Sequence, residues 1–399
     1  MAYAQAKTPA APSGLEAVDR SGIGGHPRGL STLFFTEMWE RFSYYGMRAL
    51  LVLFMTAPLA GVNPGLGFDV AKATAIYGLY TSMVYLVSLP GGWVADRLWG
   101  QRRAVFVGGC IIALGHFSMA VPTLPTFYFG LTLIVLGTGL LKPNVSTMVG
   151  DLYPEGGARR DAGFSVFYMG INLGAFLGTI LCGFIGEGHN FHWGFSLAGV
   201  GMVLGLVQYK LGGKHLGDVG ALKSSDTPEV LSRRGRTFFS GAGAIVAFLA
   251  LFVYLVYSGS IAVTIDQVAR VLGSGILIVS ALFFIYLFVA AGLTPVEKKR
   301  LWVIVWLFLL SAVFWSGFEQ GGSSMNLFAR DLTDRMAGGW EMPASWLQNV
   351  NPILIVLMAP LFGGVWTWLA QRKANPSIPA KFALGLLGLA AGFFVLAWG

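Results

Sequence analysis

The sequence predicts an all-α polytopic membrane protein organised as two helix bundles, and three observations carry that prediction. Of its 399 residues, 55% are hydrophobic and only 12% are charged, about half the charged share of an ordinary soluble domain. Eleven apolar runs approach the roughly 20 residues needed to cross a hydrocarbon core. The loops between them alternate between basic and nearly charge-free, as the positive-inside rule requires. The 55 glycines and 12 tryptophans suit close helix packing and interfacial anchoring.

The runs lie near 30–60, 71–95, 104–122, 126–149, 161–186, 193–211, 237–258, 270–293, 300–329, 345–370 and 380–399. With a cytoplasmic N-terminus, Arg97, Arg102, Arg103, Arg159, Arg160, Arg233, Arg234, Arg236, Lys298, Lys299 and Arg300 all fall inside. The outside segments then hold Lys72, Arg270, Arg330 and Arg335. One missed helix would scramble this alternation, so the same bias supports the span count. The net charge of +8 is thereby placed on one membrane face, and no nucleic-acid partner is needed to explain it.

Residues 1–28 are polar and rich in Gly, Pro and Ala, with no continuous apolar stretch, and are expected to form a disordered cytoplasmic tail rather than a signal peptide. Residues 29–212 hold six spans, the N-terminal bundle. Residues 213–236 are the longest hydrophilic stretch and read as a cytoplasmic linker. An internal echo supports two related halves: "GGWVADRLWGQRRAVF" at 91–106 and "GGVWTWLAQRKANPSIPAKF" at 363–382 each join a Gly-Gly span end to a basic loop. If these loops correspond, two spans are inserted between the halves. The pair within 237–294 fits, because its spans carry almost no charge. Residues 295–399 are then a partial C-terminal bundle, core helices 7–9, with about three further spans expected beyond "GFFVLAWG" by analogy with paired repeats.

The run at 30–60 contains "EMWERFSYYG", residues 37–46, and so holds Glu37, Glu40, Arg41 and, two turns beyond Arg41, Arg48. A charge at the centre of a span costs about 2.5–3.5 kcal/mol on insertion scales, so its presence asks for a reason. Glu37 could lie at the cytoplasmic entry of the helix, but Arg48 stands too deep for that. A structural salt bridge is the other plain explanation, since Glu37 and Arg41 are spaced i, i+4. Apolar residues would pack there at lower desolvation cost, however. At 100° per residue Glu37, Glu40, Arg41, Tyr44, Tyr45 and Arg48 share an arc of about 140°, the lining of a wet cavity.

Lys142 in "GTGLLKPNVS", Glu319 in "FWSGFEQGGSS" and Asn172 in "GINLGAF" join this stripe from other spans. The intramembrane charges cancel, with Glu37, Glu40 and Glu319 against Arg41, Arg48 and Lys142. A neutral cavity bearing both signs suits a zwitterion, whereas ion channels present rings of one sign. No nucleophile–base pair and no phosphate-binding loop is present, so neither an enzyme nor an ATP-driven pump is indicated. An ion gradient would supply the energy, and carboxylates that exchange an Arg partner suit proton carriage. Cys110, Cys182 and the five histidines form no metal-ligand spacing, and no cofactor or metal is expected.

These motifs resemble those of the proton-dependent oligopeptide transporter family within the major facilitator superfamily. "EMWERFSYYG" matches its E-x-x-E-R-F-x-Y-Y-G, and "GGWVADRLWGQRR", with Asp96, Arg97 and Arg102, resembles the superfamily's loop between helices 2 and 3. "GTGLLKPNVS", "DAGFSVFYMGINLGAF", "FWSGFEQGGSS" and "NVNPILIVLMAPLFGGVW" resemble signatures on helices 4, 5, 7 and 8. The resemblance implies import of di- and tripeptides with protons by alternating access, between two six-helix bundles, by a monomeric transport unit in the cell (inner) membrane. It implies that Arg48 and Lys142 meet the peptide carboxylate and Glu319 its amino group. Tyr44, Tyr45, Tyr85, Asn172, Trp315 and Asn351 would line the pocket. Glu37, Glu40 and Arg41 would couple proton movement, and Arg48 with Glu319 would also gate the outer side. The family's carboxylate on helix 10 has no counterpart in this sequence. Two other readings stand beside this one: the same fold carrying nitrate or a drug-like anion, and a truncated membrane protein that does not transport.

Overall fold

Each of the eleven apolar runs forms helix in the computed structural model, which describes residues 19–222 and 226–398. The first half consists of α1 (Arg28–Thr56), α2 (Val70–Val94), α3 (Gln101–Ala120), α4 (Leu124–Asp151), α5 (Gly157–Gly188) and α6 (Phe191–Gly212). Next come α7 (Pro228–Tyr257) and α8 (Ile265–Val289), and then α9 (Pro295–Phe318), α10 (Ser324–Asp331), α11 (Val350–Gln371) and α12 (Ile378–Trp398). Among the described residues nine helices are long and apolar enough to cross a membrane. The 29-residue α1 is not among them, because of its charges.

Local chemistry sets where these helices begin. Asp69 accepts from the Lys72 amide at 2.8 Å, and Asn190 accepts from that of His192 at 2.9 Å. Thr264 with Gln267, and Thr294 with Glu297, form reciprocal capping boxes at the starts of α8 and α9. Pro143 has no amide hydrogen to offer Gly139 one turn earlier, which leaves that carbonyl outside the helix ladder. α2 packs closely there: a Cβ added at Gly91 would lie 2.0 Å from the Gly139 oxygen. Likewise a Cβ at Gly178 on α5 would lie 2.2 Å from the Phe42 oxygen on α1. These contacts bring α2 and α5 hard against the helices that carry Lys142 and the charged stripe.

The run at 300–329 differs from a single span. After Phe318 the chain passes through a 3-10 turn, Glu319–Gly322, and resumes as α10. The Gly321-Gly322-Ser323-Ser324 sequence supplies the weak helix formers that permit this break. β1 (Met336–Ala337) and β2 (Trp340–Glu341) then pair as a small hairpin, with Gly338 and Gly339 at φ +59° and +87° in its turn. A 3-10 helix, Ala344–Asn349, leads into α11.

Residues 1–18, the larger part of the stretch read as a tail, lie outside the described residues. Residues 19–27 make specific contacts: Arg159 donates to the backbone oxygens of Asp19 and Gly25, and His26 Nδ1 lies 2.7 Å from the Tyr153 hydroxyl. The segment read as the linker contains a 3-10 turn, Gly213–Leu216, and the first turns of α7. That helix docks on the first half by aromatic stacking, Phe238 on Trp93 at 5.2 Å and Phe239 on Trp99 at 5.9 Å. α8 also packs on α2 of the first half, and it touches α9 through Phe288 against Trp302 at 4.9 Å and, edge to face, Phe284 against Phe308 at 5.5 Å.

Candidate functional site

The charged stripe of α1 is buried in the protein: Glu37, Glu40, Arg41 and Arg48 are each 5% exposed or less. Arg41 Nε stands 3.1 Å from Glu37 Oε1 and also bonds Glu40 Oε2. The guanidinium lies over the Tyr44 ring at 5.1 Å and the Tyr45 ring at 6.0 Å, a cation–π arrangement. Arg41 thus serves two carboxylates at once, and a proton arriving on either would release part of its grip. Glu37 Oε2, Glu40 Oε1 and Arg41 Nη2 have no hydrogen-bond partner among the described residues. Buried polar atoms are rarely left so, and here they mark a cluster with capacity to spare.

Two turns along α1, Arg48 joins the halves. Its Nη2 lies 2.6 Å from Glu319 Oε2, and its Nε donates to the Tyr77 hydroxyl at 2.6 Å. Tyr77 donates in turn to the Glu319 backbone oxygen at 3.3 Å. The break after Phe318 is what allows this, because the 3-10 turn presents both the Glu319 carboxylate and its carbonyl to one partner. Tyr77 was not among the residues singled out from sequence; "AKATAIYGLY" gives an aromatic among small residues and no sign of a partner on another helix.

Lys142 projects from α4 with its ammonium 4.0 Å from the centre of the Tyr85 ring. It forms no ion pair among the described residues, although Glu37, Glu40, Glu319 and Arg41 act on it electrostatically. Tyr44 and Tyr80 stack at 6.3 Å beside the stripe. Asn172 is 7% exposed and turns its amide back to the Tyr168 oxygen at 2.9 Å. Trp315 is 46% exposed and contacts Phe314 and Phe318 of its own helix. Asn351 is exposed at the start of α11. The stripe, Lys142 and Glu319 are therefore gathered into one electrostatic cluster, while Trp315 and Asn351 stand apart from its bonded network.

The loop residues behave differently from one another. Asp96 and Arg97 are exposed. Arg102 reaches across to the segment after α6, donating to Val219 O at 2.6 Å and to Gly217 O. At the opposite end of the bundle, Glu187 of α5 accepts from the amides of Ala344 and Ser345 at 2.8 and 3.0 Å. Trp346 Nε1 donates to Ile180 O at 3.0 Å, and Asn326 to Ala49 O at 2.7 Å. These three ties, missed in the sequence, fasten the halves together on the side where α1 and α5 end. Each pairs a side chain with a backbone group, and a backbone partner carries no residue-type signal.

The site therefore offers a cationic group at Lys142, an Arg–Glu pair that bridges the halves, and a second Arg shared by two carboxylates. Such a set can hold both ends of a zwitterion and exchange protons with it. Comparison with known proteins agrees in kind. The sequence profile of PTR2, the POT family, matches residues 102–399. The chain is 43% identical over 380 residues to "Peptide transporter YePEPT" of Yersinia enterocolitica, covering 93% of this chain and 73% of that protein. It is 39% identical over 379 residues to a "Di-/tripeptide transporter" of Lactococcus lactis subsp. cremoris, covering 93% and 75%. A crystal structure of a peptide transporter POT in complex with sulfate superposes with a TM-score of 0.86 at 42% identity, over 95% of this chain and 76% of that one.

Proposed function

This chain belongs to the POT family, and we propose that it is a symporter that imports di- and tripeptides together with protons by alternating access. The observation that carries the reading is the 2.6 Å pair between Arg48 and Glu319, set among buried charges that cancel. A free peptide is a zwitterion, so its carboxylate would meet Arg48 and Lys142 and its ammonium Glu319. Binding would then compete with the Arg48–Glu319 pair, which loosens the halves when substrate arrives. Tyr44, Tyr45, Tyr85, Asn172, Trp315 and Asn351 are assigned to the pocket wall, Trp315 and Asn351 being brought in by movement of the second half. Glu37, Glu40 and Arg41 would carry the coupling, because protonating either carboxylate weakens its hold on Arg41.

Under the topology read from the basic loops, the N-terminus is cytoplasmic and the ties at Glu187, Trp346 and Asn326 close the outer face. The protein would work as a monomeric transport unit in the cell (inner) membrane and move its substrate without transforming it. The names borne by its relatives support peptides over nitrate, as does the intact E-x-x-E-R-F-x-Y-Y-G stretch. Proteoliposomes with an imposed inward proton gradient test this directly. Dialanine should accumulate and collapse with an ionophore, whereas accumulation of nitrate in its place would replace the peptide reading.

A further inference from the structure

We infer that the groove between α1 and α6, at the end of the bundle that carries the basic loops, is a site for an anionic phospholipid. The groove has a volume of about 800 Å³ and lies on the outside of the first bundle, away from the charged stripe. Its floor is polar. Thr32 donates to the Gly212 oxygen at 3.2 Å, and the Gln208 side-chain amide lies 3.3 Å from the Thr36 hydroxyl, whose own proton goes to the Thr32 oxygen at 2.7 Å. Its mouth is basic, with Arg28 and Lys214 both exposed. The two ends of the chain segment are close: a Cβ added at Gly29 would stand 3.0 Å from the His215 oxygen.

These cations have capacity for a ligand. Lys214 makes no ion pair or hydrogen bond among the described residues, and Arg28 spends only its Nε, on the Ser21 oxygen at 3.0 Å. Asp19 is the carboxylate within electrostatic range of Arg28; hydrogen bonds from Ser21 occupy it and hold its carboxyl below the ordinary range.

The opposite wall decides what kind of anion fits. Phe35, Leu204, Val207 and Leu211 line it and are 41%, 45%, 52% and 72% exposed. Phe35 lies two turns into α1, and Leu204, Val207 and Leu211 lie on α6, which is long and apolar enough to cross a membrane. Free phosphate has no use for such a wall, whereas a lipid has an acyl chain to lay along it. A headgroup phosphate at Arg28 and Lys214 with its chain on Phe35 and Val207 satisfies both parts, in the manner of basic inter-helix pockets near a membrane surface. The occupant is an anionic lipid, because a zwitterionic headgroup would bring its own cation against Arg28 and Lys214.

Native mass spectrometry of the delipidated full chain, titrated with phosphatidylglycerol, tests the site. Phosphatidylcholine of the same acyl chains and inorganic phosphate serve as the other two arms. Phosphatidylglycerol should bind the wild type and the charge-keeping Arg28→Lys/Lys214→Arg variant alike. Affinity should fall at least about tenfold in Arg28→Gln/Lys214→Gln, roughly the effect of two near-surface cations. Lys298→Gln/Lys299→Gln, which neutralises cations elsewhere, should leave it unchanged. If the double Gln variant does not fold, Arg28→Gln and Lys214→Gln taken singly should each lose about threefold or more. Equal binding by the Gln variants, equal affinity for phosphatidylcholine, or displacement of the lipid by an equimolar amount of inorganic phosphate would each overturn the assignment.

Discussion

Arg48 and Glu319 stand 271 positions apart in the chain, yet Nη2 of one lies 2.6 Å from Oε2 of the other. The same guanidinium also holds Tyr77, so its planar fork serves two partners in fixed directions. Lysine keeps the charge and loses the fork. Arg48→Lys should therefore lower dipeptide uptake by at least about tenfold, with KM rising, because a point charge cannot hold both groups. Uptake into proteoliposomes measures this, and thermal unfolding confirms that the variant is folded. Uptake at the wild-type level would mean that the bridge has no part in transport.

Glu37→Gln and Arg41→Ala should separate coupling from binding. Neither residue belongs to the peptide-binding set, so exchange of labelled for unlabelled dipeptide should continue in both. Accumulation driven by a proton gradient should fall to background. Gradient-driven accumulation by both variants would remove these residues from the coupling role. The pH dependence of uptake in Glu37→Gln beside Glu40→Gln would then tell which carboxylate takes the proton first.

Tyr77→Phe deletes one hydroxyl that links Arg48 to the Glu319 backbone. A hydrogen bond to a charged group contributes about 1.5–3 kcal/mol. The outer closure should weaken by that order, seen as faster modification of a cysteine placed in the cavity from outside. An unchanged labelling rate would show that the salt bridge suffices alone.

Glu187→Gln keeps shape and removes charge at the tie to Ala344 and Ser345. A neutral amide accepts less strongly than a carboxylate, by about a factor of two. Hydrogen exchange at residues 344–349 should accelerate while that of α3 and α4 stays as it was. Equal exchange in both proteins would show that Trp346 and Asn326 carry the closure.

Gly178→Ala tests the packing of α5 on α1. The added Cβ would meet the Phe42 oxygen at 2.2 Å, a backbone atom that cannot swing aside. Overpacking of this kind costs about 1–3 kcal/mol, so the thermal midpoint should fall by several degrees. Gly241→Ala, where nothing lies within 4 Å, is the matched control and should be neutral or slightly stabilising.

What could be read from the sequence depended on whether a feature was local. Span positions and the stripe at Glu37, Glu40, Arg41 and Arg48 follow from hydropathy and helical period; each run forms helix with ends that shift by up to about nine residues, and the four stripe residues lie buried on α1. Glu319 was recognisable as an isolated charge in an apolar run, but the break after Phe318 was not, because Gly-Gly-Ser-Ser is tolerated in membrane helices as well as outside them. Tyr77, Glu187 and Asn326 escaped because their partners lie on other helices and several of them are backbone groups. Asn351 and Trp315 illustrate the opposite case: the motif places them, while their exposed positions here show no bond to the cluster.

The inserted pair touches both halves: Phe238 and Phe239 of α7 stack on Trp93 and Trp99 and α8 packs on α2, while Phe284 and Phe288 of α8 meet Phe308 and Trp302 of α9 at an angle. If the halves rock against each other as proposed, a hairpin that touches both must flex with every cycle. α7 and α8 then act as a leaf spring laid along the outside of the transporter. Its stiffness would add a restoring force to that swing, set by these aromatic contacts on the outside of the bundles.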